Sequence, residues 1–513
     1  MVTIDIPAEI APYIQRLQAD PNDYAANKAV ASFLGSKQET FPHSTEFFER
    51  ALAQNRSDDP DHKDMLQAYA EVLIFIGEFE KAIKPLRVLL ASYQTDMKYL
   101  VHLAFASFRS GHVEMAFDVA KKVVDRFFVS AKEEAELLGE PITQILAPDN
   151  IMQSRLGELA VKLDLYAKAK VLGLTPQVKA LLPILKDEVV NGCLYECLKD
   201  CLSDLITFPS GPEERDAWIA KYDRSLVRTD YFVDAGKRGL DMNHFFVLVQ
   251  RKWEESGREP LLKLPDKYDA AGRELLAKHG MPEDAWFVCF HARSGGYHAD
   301  LLAGNLTHYR NSNIEGYMPA MEAVRDRGGW VVRIGDSSMP PLPEMEGVID
   351  YAVSDWREDW IDVFLLARSR FLVCVPSGPC AVAQAFGVPI VGVNWFPFGD
   401  WQYSSRDIMI FKPYRRSDDG SYLTVSEMVG PPVRGLLAKN AFDARGIEVI
   451  ENSPDDIRAT VVEMMDKCDG RSDYSAEDDD LQQRFKALAD PFDVGVNSRF
   501  GRDFLRNHSA VLG

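Results

Sequence analysis

Short apolar runs that alternate with helical patterns fill the C-terminal half of the chain, and they constrain the fold more than any other feature. The apolar runs lie at residues 286–290, 330–334, 371–375 and 389–393. The helical patterns lie at residues 316–327, 361–367 and 379–386. Because runs of about five apolar residues between helices are typical of parallel βαβ units, the sequence predicts an α/β fold with a doubly wound sheet. Ligands in such a sheet bind beyond the carboxyl ends of the strands.

The longest uncharged stretch, residues 371–398, has the length of a membrane span but not its composition. It is interrupted by Pro376, Gly378, Pro379, Gly387, Pro389 and Gly392. A simple spanning helix does not carry prolines and glycines at that density, so we expect no integral membrane segment. Residues 1–10 show no signal-peptide pattern, and the seven cysteines show no disulfide framework. We expect a cytoplasmic protein, with peripheral association at the inner membrane left open.

The N-terminal part has a helical and repetitive pattern. Gly77 and Gly111 are 34 residues apart, and so are Ala82 and Ala116. A 34-residue period with a turn glycine and a small residue between two helices is the tetratricopeptide pattern. A weaker copy precedes it at residues 24–54. The alternative is an ordinary helical bundle in which the spacing is a coincidence. Stacks of such repeats usually bind a peptide or protein, so we expect a protein partner here.

From residue 141 onward the pattern becomes one of alternating strands and helices. We predict strands at residues 142–146 and 178–185, and helices at residues 156–172 and 194–205. Cys193, Cys197 and Cys201 fall on one face of the last helix. A metal site needs further ligands on another element, so we interpret these cysteines as core residues.

The net charge of −20 limits the partners of the protein. A surface that acidic repels nucleic acid, so an anionic ligand has to be bound by a local arginine cluster or by helix N-termini. The most acidic stretch, residues 469–480, is interpreted as a solvated linker before a final helix at residues 481–489. Asp478 and Asp480 in that stretch do not follow an apolar strand. We therefore expect no metal site there.

Three polar loops follow three of the predicted strands and are expected at one edge of the sheet. The first is residues 291–300 (HARSGGYHAD), the second begins at Gly335 and Asp336, and the third contains Ser377 and Gly378 before Pro379. Proline is preferred in the first turn of a helix, where free N–H groups attract an anion. A plain helix cap explains Ser377 equally well. Arg293 can bind phosphate with two parallel hydrogen bonds. The P-loop motif and the GxGxxG motif are absent.

These segments together resemble a family of bacterial glycosyltransferases that are often fused to tetratricopeptide repeats and found near surface-polysaccharide genes. The resemblance extends from Arg155 to the end of the chain and includes HARSGGY, HYRNSNIEGYMPAMEAVRDRGGWVVRIGD and FLVCVPSGPCAVAQAFGVPIVGVNW. The HAR segment is also similar to the His-x-Arg element of fucosyltransferases that use GDP-fucose. The SGP…A…FGVP stretch is similar to the donor loop of heptosyltransferases. Both groups have the two-Rossmann (GT-B) architecture.

The resemblance implies two Rossmann-like domains preceded by tetratricopeptide-like repeats. The expected divisions are helical repeats at residues 1–138, an acceptor domain at residues 139–282, a nucleotide-sugar donor domain at residues 283–468, and the acidic linker with a C-terminal helix that packs back at residues 469–513. The implied donor-binding residues are His291, Arg293, Arg333, Gly335, Asp336, Ser377, Gly378 and Asn394. The implied acceptor-binding residues are Arg155, Gly157, Asn311 and Asn313.

The expected reaction is sugar transfer from a nucleotide sugar to a glycan or protein acceptor, with inversion and without a metal ion or other cofactor. A GDP-linked donor is the one that the HAR element suggests. Arg293 would stabilise the leaving diphosphate, and the candidate bases are Asp300, His298 and Glu315. A structural hydrogen bond explains His291 equally well, and a turn explains Asn311 and Asn313.

Two alternatives remain open at this point, and the sequence argues against a third. The first is a non-catalytic tetratricopeptide scaffold with a degenerate transferase domain. The second is glycosylation of flagellin or another surface protein that the repeats recruit. The third is a sugar-nucleotide epimerase. An epimerase should carry a Tyr-x-x-x-Lys pair beside a glycine-rich loop, but Tyr166 and Lys170 have that spacing without such a loop.

Overall fold

The structure is a computed structural model, and it describes most of the chain. The described residues are 7–37, 40–54, 59–92, 96–146, 150–222, 226–227, 231–234, 238–295, 308–400 and 403–513. One continuous hydrophobic core extends from the N-terminal helices at Ala31 to the end of the chain at Leu512.

The N-terminal part is all-helical, as predicted. Its helices are α1 (Ala11–Ala19), α2 (Tyr24–Leu34), α3 (Phe41–Leu52), α4 (His62–Phe75), α5 (Phe79–Ser92), α6 (Met97–Ser110) and α7 (Val113–Leu138). Gly77 and Gly111 have φ angles of 81° and 74° in the turns α4–α5 and α6–α7. Ala82 and Ala116 are fully buried where successive helices pack. The 34-residue spacing therefore corresponds to two helix pairs, while the tetratricopeptide assignment stays a prediction.

The middle part combines a small sheet with several helices. Its strands are β1 (Thr143–Leu146), β2 (Lys179–Leu181), β3 (Leu226–Val227), β4 (Tyr231–Asp234) and β5 (Arg238–Asp241). Its helices are α8 (Asn150–Ser154), α9 (Leu156–Val171), α10 (Gly192–Leu202), α11 (Pro212–Lys221), α12 (Met242–Glu255) and α13 (Asp266–Lys278). Strand β1 pairs in parallel with β2 and β3, and β4 and β5 form an antiparallel pair. Cys193 and Cys197 are buried and Cys201 is half-buried, which agrees with their interpretation as packing residues.

A seven-stranded parallel sheet forms the C-terminal part. Its strands are β6 (Phe287–His291), β7 (Trp330–Arg333), β8 (Val348–Ile349), β9 (Leu372–Cys374), β10 (Ile390–Trp395), β11 (Ile408–Phe411) and β14 (Arg499–Phe500). Every adjacent pair is parallel, in the order β14-β11-β10-β9-β6-β7-β8. Counted from β6, this is the doubly wound order 3-2-1-4-5-6 with one further strand at the end. The predicted mixed α/β class and parallel sheet are confirmed.

The remaining elements cover this sheet or extend from it. The helices are α14 (Met318–Asp326), α15 (Asp359–Arg368), α16 (Gly378–Ala385), α17 (Val425–Val429), α18 (Lys439–Asp443), α19 (Pro454–Cys468), α20 (Ala476–Ala489) and α21 (Arg502–Asn507). Strands β12 (Tyr414–Arg416) and β13 (Ile447–Val449) form a separate antiparallel pair. The predicted division into two Rossmann-like domains, with its residue boundaries, stays a prediction.

The acidic stretch is not a solvated linker throughout. Helix α20 begins at Ala476, inside the stretch, because Ser475 and Asp478 form a reciprocal capping box. Asp478 is only 2% exposed and accepts a hydrogen bond from Nε of Arg506 at 2.7 Å. The carboxylates near the helix start are stabilised by the helix dipole, and one of them joins α20 to the C-terminal helix.

The helical part docks on the C-terminal part through charged and glycine contacts. Arg109, near the end of α6, donates NH1 to both carboxylate oxygens of Asp400 at 2.9 Å. Arg434 donates Nε to the carbonyl of Phe108 at 3.2 Å and stacks on Phe492 at 4.8 Å. Beside them, Gly435 has a φ of 80°, and a Cβ there would lie 2.2 Å from the carbonyl oxygen of Arg109. The docking therefore requires glycine at position 435.

Gly435→Ala should reduce stability more than Gly420→Ala. Gly420 has a φ of 72°, but a Cβ there meets nothing within 4 Å. Both variants incur left-handed backbone strain of about 1–2 kcal/mol, whereas only Gly435→Ala adds a clash, which costs about 1–3 kcal/mol more. Thermal melting of the two variants beside wild type measures the difference. Equal losses would contradict the close docking of the helical part.

Candidate functional site

The carboxyl ends of β6, β7, β9 and β10 meet at one edge of the large sheet. The chain order reverses between β6 and β9, which are neighbours although β7 and β8 separate them in sequence. Such a switch point opens a crevice where ligands of doubly wound proteins bind. The loop of Arg293 follows β6 and the loop of Ser377 follows β9. Two of the three predicted loops therefore flank the switch point.

Two helices begin beside each other at this crevice. Helix α16 begins at Gly378, directly after the β9 loop, and α9 begins at Leu156 in the middle part of the chain. A Cβ on Gly157 would lie 2.7 Å from the Cα of Gly378, and a Cβ on Gly378 would lie 3.2 Å from the amide nitrogen of Gly157. Side chains at these positions would force the helix starts apart. The contact thus joins a predicted acceptor-binding residue to a predicted donor-binding residue.

Neither helix start is capped by its own side chain. Ser377 is the N-cap residue of α16 but makes no capping hydrogen bond, and its hydroxyl lies 3.6 Å from Sγ of Cys380. Arg155 is the N-cap residue of α9 and also makes none. The first N–H groups of a helix carry about half a positive charge together. Two uncapped starts in contact therefore concentrate positive potential at the crevice.

Arginine side chains add full charges at the same place. Arg310 donates Nε and NH2 to the carbonyl of Pro376, at 3.3 and 2.8 Å, immediately before Ser377. Burial lowers the pKa of Arg310, and the neighbouring positive charge of Arg155 lowers it further. Within the described ranges, neither of the two arginines forms an ion pair with a carboxylate. Their charges reinforce each other and favour an anion between them.

The β6 loop is fixed against the segment that follows Arg310. The carbonyl of Arg293 accepts a hydrogen bond from the amide of Ser312 at 3.1 Å, and the Arg293 side chain is buried. A Cβ on Gly295 would lie 3.6 Å from Nδ2 of Asn311. In the described part of the chain, the buried Oδ1 of Asn311 has no hydrogen-bond donor. Arg293 and Asn311, predicted for donor and acceptor, therefore lie on adjacent backbone segments at this edge of the sheet.

His291 is a buried, neutral imidazole at the end of β6. Its Nδ1 lies 3.3 Å from the carbonyl oxygen of Ile334, at the end of the neighbouring strand. Burial lowers the pKa of His291 to about 4, and the charges of Arg293 and Arg333 contribute to the same shift. The hydrogen bond links the β6 and β7 loops, which is the structural role that the sequence left open for this residue.

The predicted residues of the second loop are engaged in holding that loop. Arg333 is 1% exposed and donates NH1 to the carbonyl of Pro340 at 2.8 Å and to Oδ1 of Asp350 at 3.1 Å. A Cβ on Gly335 would lie 2.3 Å from Sδ of Met339. The carboxylate of Asp336 accepts a hydrogen bond from the amide of Ser338 at 2.9 Å. These contacts shape the loop and leave Asp336 half-exposed at its surface.

Asn394 lies at the end of β10, where its polar atoms are bound by the protein itself. It is 1% exposed and has a φ of 51°. Its Oδ1 accepts a hydrogen bond from the amide of Asn452 at 2.7 Å, and its Nδ2 donates to the hydroxyl of Tyr317 at 3.2 Å. Asn394 therefore joins β10 to the segment before α19.

Asn313 and Glu315 are paired with each other on an exposed turn. Oδ1 of Asn313 accepts a hydrogen bond from the amide of Glu315 at 3.1 Å, and Nδ2 of Asn313 donates to the Glu315 carboxylate at 3.2 Å. This is the turn role that the sequence offered for Asn313. The other two candidate bases, His298 and Asp300, lie outside the described residues.

Two residues of this region were missed by sequence reasoning. Arg310 stands in the quoted HYRNSN segment but was given no role, because only the folded chain brings it to Pro376. Lys412 is 2% exposed, and its Nζ donates to the carbonyl of Asn311 at 2.9 Å and to Glu451 at 3.4 Å. Its position, one residue after a buried strand, was the signal that could have identified it.

Neither a membrane-spanning helix nor a metal-binding cluster is found in the described ranges. No helix there is both long and apolar enough to cross a membrane. No three or more His, Cys, Asp and Glu side chains there are grouped closely enough to hold a metal ion.

Comparison with known proteins finds matches among solved structures. The sequence matches no family model and none of the curated proteins. Among solved structures, the chain is similar to the glycosyl transferase family 9 protein from Veillonella parvula DSM 2008. That similarity covers 67% of this chain and 94% of that chain, with 12% sequence identity and a TM-score of 0.25.

His291 should make the protein less stable in acid. Its pKa is lower in the folded protein (about 4) than in the unfolded chain (6.5), so the unfolded chain takes up the proton first as the pH falls. The contribution of neutral His291 to the free energy of unfolding is complete above pH 6.5 and is lost towards pH 4. Between pH 8 and pH 5 the free energy of unfolding should fall by about 2 kcal/mol.

His291→Asn keeps a donor for the Ile334 carbonyl and removes the titration. Denaturant unfolding of both proteins at pH 8 and pH 5 should show a difference in free energy that is about 2 kcal/mol smaller at pH 5 than at pH 8. A difference that does not change with pH would contradict a buried neutral His291.

Proposed function

We propose that this protein is a glycosyltransferase that moves a sugar from a nucleotide-sugar donor to a glycan or protein acceptor. The observation that carries the proposal is the meeting of the α9 and α16 starts at Gly157 and Gly378, flanked by Arg155, Arg310 and Arg293. The resemblance of the HAR and SGP segments to transferase motifs supports the same reading. The proposal also includes inversion at the transferred sugar and a GDP-linked donor, and only that resemblance supports these two details.

A diphosphate is the ligand whose chemistry suits the crevice best. The chain carries a net charge of −20, yet two arginines without ion-pair partners in the described ranges and two uncapped helix starts converge at one point. Free N–H groups at a helix start bind phosphate oxygens, and guanidinium groups bind them with parallel hydrogen bonds. A glycine at position 378 lets the backbone approach the phosphate closely.

The same groups can lower the barrier of glycosyl transfer. As the bond between the anomeric carbon and the phosphate oxygen breaks, negative charge develops on the leaving diphosphate. Donors and cations that are already in place stabilise that charge without reorganisation. We assign this role to Arg293, Arg310 and the N–H groups at the start of α16. The acceptor hydroxyl then requires a base, for which Asp300, His298 and Glu315 remain the candidates.

The position of α9 extends the proposal to the acceptor. Helix α9 belongs to the middle part of the chain and reaches the crevice with Arg155 and Gly157. An acceptor held by the middle part would therefore lie opposite the β6 and β9 loops. The N-terminal helices would present a protein partner or acceptor, since they dock beside Asp400, which follows β10.

A nucleotide panel tests the donor site. GDP, UDP, ADP, dTDP and CMP are each added to wild type, and the melting temperature and dissociation constant are measured. A ligand at a hundred times its dissociation constant should stabilise the fold by about 2.7 kcal/mol. Arg310→Gln and Arg293→Ala should each weaken binding of the active diphosphate by roughly tenfold or more, since a hydrogen bond to a charged group contributes about 1.5–3 kcal/mol.

Arg327→Gln provides the matched control. Arg327 is another half-buried arginine, but it pairs with Asp466 at 2.7 Å, away from the crevice. Nucleotide binding should be unchanged in this variant. The scaffold alternative would replace the transferase proposal if no nucleotide bound wild type, or if the crevice variants bound as tightly as wild type.

A further inference from the structure

A second group of cations lies in a cavity that the proposed transfer reaction does not use. The cavity has a volume of about 420 Å³ and is lined by Lys467, Lys486 and Arg499, with Tyr474 and Asp479 among the other lining residues. Three positive side chains thus face one cavity together with one carboxylate, in a chain whose net charge is −20.

The cavity is at the opposite edge of the sheet from the crevice. Ser405, in its lining, precedes β11, and Arg499 is the first residue of β14. Both positions are at the amino ends of parallel strands, whereas the α9 and α16 starts lie beyond the carboxyl ends. The two sites therefore lie at opposite ends of the parallel strands.

Backbone carbonyls position the two lysines without cancelling their charge. Nζ of Lys467, near the end of α19, donates to the carbonyls of Ser405 and Arg406 at 3.0 and 3.1 Å. Nζ of Lys486, on α20, donates to the carbonyl of Asn497 at 3.4 Å. Neither lysine has a carboxylate partner among the residues described. Each ammonium group retains a proton for a further acceptor.

Arg499 is fixed by the rim of the cavity. Its NH1 and NH2 both lie 3.2 Å from Oδ1 of Asp479, and its guanidinium stacks on Tyr474 at 3.5 Å from the ring centroid. Asp479, Gln482 and Lys486 recur at helical spacing and so share one face of α20. The helix presents donors and a single carboxylate to the cavity.

The cluster is electrostatically costly when it is empty. Burial lowers the pKa of Lys486 to about 8, and the positive charges of Arg499 and Lys467 lower it further. Burial also lowers the pKa of Lys467. Glu463 is a counter-charge for the arginine only, with its Oε1 3.9 Å from Nε of Arg499. Burial raises the pKa of Glu463, and it raises that of Asp407 to about 7. A bound dianion would relieve this repulsion.

We propose that this cavity binds a phosphate dianion, either free or as the monoester of a small molecule. Two ammonium groups and a guanidinium fork are the groups that bind phosphate in proteins. A cavity of about 420 Å³ is within the usual range for small-molecule sites, so it has room for an organic group beside the phosphate. This phosphate compound would be a further ligand of the protein, which the proposed transferase reaction does not require.

Binding to the full chain tests the proposal. Inorganic phosphate, a hexose 1-phosphate and AMP are titrated calorimetrically into wild type and variants at pH 7. At least one should bind, and Lys486→Met should weaken that binding about tenfold or more by removing a charged donor while keeping the length of the side chain. Asp479→Asn should strengthen binding, because it removes the one carboxylate of the rim. Comparison of the three probes separates free phosphate from an ester.

Two further variants make the result specific. Lys170→Met is the matched control, since Lys170 is also a half-buried lysine bound to carbonyls, those of Val178 and Leu205. Arg310→Gln tests whether the phosphate compound binds in the crevice instead. Both should bind the phosphate compound as wild type does. The proposal is overturned if none of the probes binds, or if Lys486→Met binds as tightly as Lys170→Met. Loss of binding in Arg310→Gln with retention in Lys486→Met would assign the phosphate to the crevice.

Discussion

The contact between Gly157 and Gly378 is the constraint on which the proposed site depends. It allows α9 of the middle part and α16 of the large sheet to begin at the same point, with a Cβ-to-Cα approach of 2.7 Å that side chains would not permit. Two dipoles of the same sign are thereby placed together, with Arg155 and Arg310 beside them and one carboxylate, that of Glu158, in the first turn of α9. Such an arrangement raises the energy of the empty protein and favours an anion.

Arginines that are buried or half-buried in this chain serve two different purposes, and their partners distinguish them. Arg333 and Arg109 pair with Asp350 and Asp400 and hold a loop and the helical part in place. Arg310 instead donates to the carbonyl of Pro376 and faces the like charge of Arg155. Since a buried charge is stable only when it is compensated, Arg310 has the stronger requirement for a ligand.

Sequence patterns predicted the sheet well because apolar runs of about five residues report burial on both faces of a parallel strand. They also predicted the edge where the loops gather, since parallel strands end together. They did not indicate which polar side chains form hydrogen bonds within the protein and which are available to a ligand. The bonds of Asn394 to Asn452 and of Arg333 to Asp350 depend on segments that are distant or irregular in sequence. The start of α20 was missed because an acidic run resembles a linker until its capping box is recognised.

Hydrogen exchange of the backbone amides, with and without a saturating nucleoside diphosphate, tests the central claim most directly. We predict slower exchange at residues 156–158 and at Ser377 and Gly378, where α9 and α16 begin, because the phosphate would accept hydrogen bonds from these N–H groups. Protection confined to the cavity of Lys467, Lys486 and Arg499, or no protection at either helix start, would contradict it.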